Sequence, residues 1–172
     1  MGYTIEQYLL DKSNIHDTVT QLMHAFDSRS VSDLVDKVYT PEIFLDYDPL
    51  MGGRPRTTTS KEWAEKVKDI HSPYEFTQHI VLNILIKISN PETSDSTLMP
   101  ENCVVEAYAH GLFYNKDDQG FPRVMAMRNG GDYTLELVRM PGLQEKGQNP
   151  WRIQKHKSRL AWQDRPVQEH VK

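Results

Sequence analysis

Apolar residues in the first part of the chain recur every three or four positions. Ile15, Val19, Leu22, Met23 and Phe26 form one stripe at helical spacing, and they predict a first helix with Ser13 or Asn14 as its cap. A short helix is expected around Val31 to Val38, ended by the Thr40-Pro41 step. Glu42 to Asp48 then predicts a strand, and Pro49 to Arg56 (PLMGGRPR) a loop. Ser60 to Ile70 predicts a third helix, with Ser60 as N-cap and Trp63, Val67 and Ile70 on one face.

After Ser72-Pro73 the period changes from about 3.6 to two. Glu75 to Ile88 reads as a long strand whose even positions (Phe76, Gln78, Ile80, Leu82, Ile84, Ile86, Ile88) are almost all apolar. Its odd positions are mixed and carry His79 and Asn83. A polar connection, Asn90 to Asn102, leads to two more strands, Cys103 to Tyr114 and Val124 to Arg139, with a turn at Lys116 to Gly120 between them. Gly142 to Pro150 is a loop, Trp151 to Trp162 a last strand, and the chain from Gln163 a frayed polar tail. The pattern predicts a single α+β domain over residues 1–163 with a tail over 164–172. Its curved, mostly antiparallel sheet forms a cone closed by the N-terminal helices. Such a cone leaves a hollow for a small molecule.

Composition narrows the partners. With 172 residues the chain can bury a sizeable core. A net charge of -4 gives no basic footprint, so nucleic acid is not an expected partner. No apolar run approaches the roughly 20 residues of a membrane helix. The single cysteine, Cys103, cannot form an intramolecular disulfide or a cysteine-based zinc site, which suits a cytoplasmic, reducing setting. No phosphate-binding glycine loop surrounds Gly52-Gly53 or Gly130-Gly131, and there is no nucleophile elbow. The apolar even face of the Glu75 to Ile88 strand is too large to face water, and predicts a homo-oligomer, dimer or trimer, joined through the sheet.

Three residues stand out as chemistry. Val19, Met23 and Asp27 are spaced by four, so a carboxylate falls on the core stripe of the first helix. Buried there it needs a partner, unless it merely caps a helix end. His79 and His110 lie on strands, where a lone histidine is more often structural. Together, one carboxylate and two imidazoles suit proton shuttling: imidazole titrates near pH 6.5, and a carboxylate beside it fixes its tautomer and steadies its charged form. A metal site from the same three side chains is the alternative, although nothing in their spacing enforces it.

Phe26 to Leu34 (FDSRSVSDL), Leu45 to Leu50 (LDYDPL), Thr77 to Ile80 (TQHI) and Val104 to His110 (VVEAYAH) resemble, in order and spacing, the fungal scytalone dehydratases and SnoaL-like proteins. These belong to the nuclear-transport-factor-like superfamily of α+β cones, and the resemblance runs roughly from residue 5 to 163. It implies a dehydratase without cofactor or metal, in which Asp27 pairs with His79, His110 is the second acid or base, and Tyr47 polarises a carbonyl. The family's second tyrosine falls on Phe26, and its serine and asparagine near Asp132 and Thr134. Trp63, Asn83 and Tyr108 complete the expected substrate-binding set. The implied substrate is a small oxygenated aromatic or polyketide-like molecule. A cyclase or isomerase, or a non-catalytic binding or adaptor domain, are the other functions this fold implies.

Overall fold

Thr4 and Gln7 start the first helix by a reciprocal cap: each side chain bonds the other's backbone N–H. The computed structural model describes residues 2–49, 52–92 and 98–165. Helix α1 (Ile5–Asp27) therefore begins well before the Ser13 or Asn14 expected as its cap. The apolar stripe misses this start because the position one turn before Ile15 is Asp11. That carboxylate is buried, accepting from Tyr3 Oη and Trp151 Nε1 and paired with Arg139. Arg29, in the left-handed region at φ 55°, closes the far end, and its guanidinium donates to the Tyr74 carbonyl.

A short helix α2 (Val31–Asp33) runs into a π-helical turn (Leu34–Val38). Strand β1 (Tyr39–Tyr47) follows directly, so Pro41 lies inside a strand rather than before one. Its missing N–H is tolerated because the β1 ladder is irregular between Tyr39 and Phe44. Strand β2 (Arg56–Thr59), a short edge strand between the end of the expected loop at Arg56 and the expected helix start at Ser60, pairs antiparallel with β1. Helix α3 (Ser60–His71) is capped by Thr59, not Ser60, in a second reciprocal cap with Glu62.

Four long strands complete the sheet: β3 (Phe76–Lys87), β4 (Asn102–Asn115), β5 (Val124–Arg139) and β6 (Trp151–Asp164), with a short helix α4 (Pro141–Gln144) before the last. The sheet is open and mixed, in the order β2-β1-β6-β5-β4-β3, with only β1 and β6 parallel. Gln163 and Asp164, expected in a frayed tail, pair with Asn129 and Arg128. Leu50 and Met51, residues 93–97 of the polar connection, and residues 166–172 with His170 lie outside the described residues.

The stripe of α1, from Ile15 to Phe26, packs with Trp63, Ala64 and Val67 of α3 onto Val105, Leu135, Leu137 and Ile153 of the sheet. Strand β3 meets this core with both parities. Thr77 and Val81 point inward in its first half, and Ile84 and Ile86 in its second. The switch comes at Asn83, which adopts φ 51° where the β3–β4 register shifts. The even face is thus not one apolar surface. Its second half is core, while Phe76, Leu82, Leu85 and, on β4, Tyr108 are exposed on the outer face.

Candidate active site

Asp27 is the last residue of α1, and the closure at Arg29 holds its carboxylate against β3. It accepts the His79 backbone N–H at 2.9 and 3.0 Å and the ring Nδ1–H at 2.7 Å. A carboxylate can only accept, so the proton of a neutral His79 ring sits on Nδ1 and Nε2 keeps its lone pair. The His79 side chain is 9% exposed and that of Asp27 25%. Phe26 and Phe113 meet the His79 ring edge-on, with centroids 5.4 and 5.5 Å away.

His71, which ends α3, lies beside this pair, its ring 5.0 Å from that of His79. Its Nδ1 is 3.2 Å from the Phe26 carbonyl, which fixes a donor there and leaves Nε2 as acceptor. Burial, reinforced by the neighbouring His79, pushes His71 down to about 4, so it is neutral near pH 7. Trp63, Lys66, Val67, Ile70 and His71 form one helical stripe of α3 bordering a cavity of about 450 Å³, together with Phe26, Tyr47, His79, Asn129 and Tyr133.

Tyr47 meets the far wall of the same cavity. Its ring lies 5.0 Å from Trp63, and its hydroxyl is 3.3 and 3.4 Å from the two ring nitrogens of His156. His156 is fully buried and pushed down to about 3 by that burial. Trp63 Nε1–H donates to Tyr39 Oη, and the Tyr39 hydroxyl lies 2.8 Å from His156 Nδ1. Tyr39's proton then goes to Nδ1 and the ring carries its own proton on Nε2, so neither nitrogen is open to the Tyr47 hydroxyl, which is nearly equidistant from both. That bookkeeping leaves the Tyr47 proton available to a ligand oxygen.

The expected site residues divide. Asp27 and His79 are joined, and Tyr47, Phe26 and Trp63 border the cavity with His79. His110 also belongs to its border, but strand alternation turns its ring away. Odd residues of β4, from Cys103 to Phe113, point inward, whereas His110 shares a row with Ile80 and Gly130 and meets Trp162 edge-on at 5.5 Å. The expectation that His79 and His110 face each other is corrected by this parity. The same rule corrects Asp132 and Thr134: on β5 the odd residues Tyr133, Leu135 and Leu137 are the buried ones. Tyr108 is exposed on the outer face, and Asn83 is spent on the bulge.

Two residues replace them. Asn129 stands in the row of His79 and Gly111, and a Cβ on Gly111 would come within 2.8 Å of its Oδ1. His71 continues the series Trp63, Val67 by four, a spacing that marks it as facing the cavity. Among the described residues, no group of three or more His, Cys, Asp or Glu is arranged to hold a metal ion. No described helix is long and apolar enough to cross a membrane.

A family model described as SnoaL-like domain matches residues 7–157. No curated protein matches the chain. Among solved structures, the Kfla4162 protein from Kribbella flavida superposes with a TM-score of 0.71 at 16% identity, covering 91% of this chain and 95% of that one. A candidate scytalone dehydratase from Novosphingobium aromaticivorans DSM 12444 gives 0.69 at 13% identity, covering 95% and 93%. The hexachlorocyclohexane dehydrochlorinase LinA-type3 from Novosphingobium barchaimii LL02 gives 0.66 at 14% identity, covering 96% of each chain. These likenesses establish the shared fold.

Proposed function

The chain belongs to the SnoaL-like domain family, and on that footing we propose that it is a cofactor-independent lyase that eliminates water from a small, ring-bearing carbonyl compound. One observation carries the reading: a carboxylate-bound histidine, Asp27–His79, stands in the cavity wall between the Phe26 and Phe113 rings with its Nε2 lone pair uncommitted. Two of the structural neighbours bear the names of eliminating enzymes, one of water and one of hydrogen chloride, which supports the reaction class.

In this mechanism His79 Nε2 removes the proton alpha to the carbonyl. The C–H electron pair becomes the new C=C bond, and the C–O bond at the beta carbon breaks. The departing oxygen takes the proton from His79 and leaves as water. Asp27 holds the ring and fixes its tautomer. Tyr47 donates to the carbonyl oxygen, and Asn129 lies within the same chamber to hold the substrate. His110 has no part, because its ring is on the other face.

A ring isomerase or cyclase is the second reading: the single base Asp27–His79 can equally return its proton to a different carbon of the substrate. The outer residues Phe76, Leu82, Leu85 and Tyr108 support a homo-oligomer joined through the sheet. Light scattering showing a monomer at micromolar concentration would refute that assembly.

The catalytic test is a panel of cyclic β-hydroxy ketones and their dehydrated products, followed by absorbance of the conjugated product. His79→Gln and Asp27→Asn are the controls, with melting temperature as the check on folding. Elimination by the wild type that is lost in His79→Gln supports the lyase. Rearrangement without water loss supports the isomerase, and activity unchanged in His79→Gln overturns both.

A further inference from the structure

The chamber has a charged mouth that elimination chemistry does not require. Four cationic residues border it (Arg56, Lys66, Arg159 and Arg165), and among the described residues no aspartate or glutamate does. The chain as a whole is acidic, with 24 Asp and Glu against 20 Lys and Arg, so this local balance runs opposite to the bulk composition. Arg159 is committed to Asp46, which neutralises it. Arg56, Lys66 and Arg165 make no ion pair among the described residues.

Two of the three are placed by regular structure. Arg56 opens β2, and Lys66 lies one turn along the cavity-facing stripe of α3 from Trp63. The Arg56 guanidinium stands over the Trp63 ring at 5.7 Å from its centroid, and that ring meets Tyr47 on the chamber wall. Around His79 the buried rings of Phe26 and Phe113 make the lining apolar. Apolar depth and cationic mouth together describe a polarity that the ligand must mirror.

We infer that the ligand is an amphiphilic organic anion: a ring system whose apolar part lies against Phe26 and Phe113 while a carboxylate stays at the mouth between Arg56 and Lys66. The inference takes the chamber to be the reaction site, as proposed above, and names the class of substrate admitted to it. The carboxylate keeps part of its hydration at the mouth, so each cation adds only a modest, salt-screened gain. The same pair orients the ring and fixes which carbon reaches His79.

Binding decides this without turnover. The probes are 2-naphthoate and its neutral isostere 2-naphthamide, titrated by calorimetry into the full chain at low and high salt. The naphthoate should bind about tenfold more tightly at low salt, with the preference shrinking as salt is raised. Arg56→Gln with Lys66→Gln should abolish the preference for naphthoate over naphthamide. His79→Gln should keep the preference, so failure of the elimination reading is seen separately in the activity assay. Equal affinity for the two probes, no binding of either, or a preference that survives in the double variant would overturn the proposal.

Discussion

His79 and His110 are one residue type in neighbouring strands of one sheet, and strand parity gives them opposite surroundings. His79 lies between Asp27 and two phenylalanine rings, while His110 lies under Trp162 on the outer face. His79→Ala should therefore lower turnover by a factor on the order of 10²–10⁴. His110→Ala should change it by less than about twofold, since a surface substitution away from such features costs little. Steady-state kinetics on the two variants side by side checks both numbers. Asp27 was legible in the chain because Val19, Met23 and Asp27 mark one stripe. His71 is equally legible through Trp63 and Val67, although a histidine at a helix end reads as readily as a favourable partner for the helix dipole. The face of His110 was not legible: Val104, Tyr108 and Leu112 make one parity of β4 apolar, and Cys103, Val105 and Phe113 the other. Only pairing with β3 and β5 chooses between them.

Among elements, β3 shows where pattern reading stops. Its existence, length and first-half parity follow from period two. The reversal at Asn83 does not, because the even positions stay apolar from Ile80 to Ile88 and nothing in that pattern marks a change of face. Asparagine is one of the few residues with a side chain that tolerates the left-handed region. Asn83→Val should accordingly cost about 1–2 kcal/mol in urea unfolding, whereas Asn83→Gly should be close to neutral. Equal effects from both would mean the bulge does not depend on that conformation. The short elements were lost for a related reason. Strand β2 has four residues at a sheet edge, and the caps Thr4 and Thr59 compete in the sequence with Ser13 and Ser60, although only the threonines are followed three residues later by a Gln or Glu that completes the reciprocal cap.

At the scale of the whole molecule, two buried neutral histidines tie stability to pH. His71 is held at about 4 and His156 at about 3, against about 6.5 for an exposed imidazole. The unfolded chain takes up these protons first, so stability is full above about pH 6.5 and declines as the pH falls towards 4 and then 3. Melting temperature should drop across that window, and His156→Gln should flatten the decline even if its starting value is lower. An unchanged slope in that variant would remove His156 from the account. Another long-range dependence lies in α1, a rod fastened at Asp11 to Tyr3, Trp151 and Arg139, and carrying the Asp27 carboxylate at its tip. Helical rise puts Asp27 about 24 Å from Asp11. A tilt of about 2° from that end would swing the carboxylate by nearly 1 Å, enough to cost on the order of 10² in rate, and the buried ion pair acts with the packed stripe from Ile15 to Phe26 to hold it. Asp11→Asn, which touches nothing in the chamber, should lower kcat well beyond what its change in melting temperature explains.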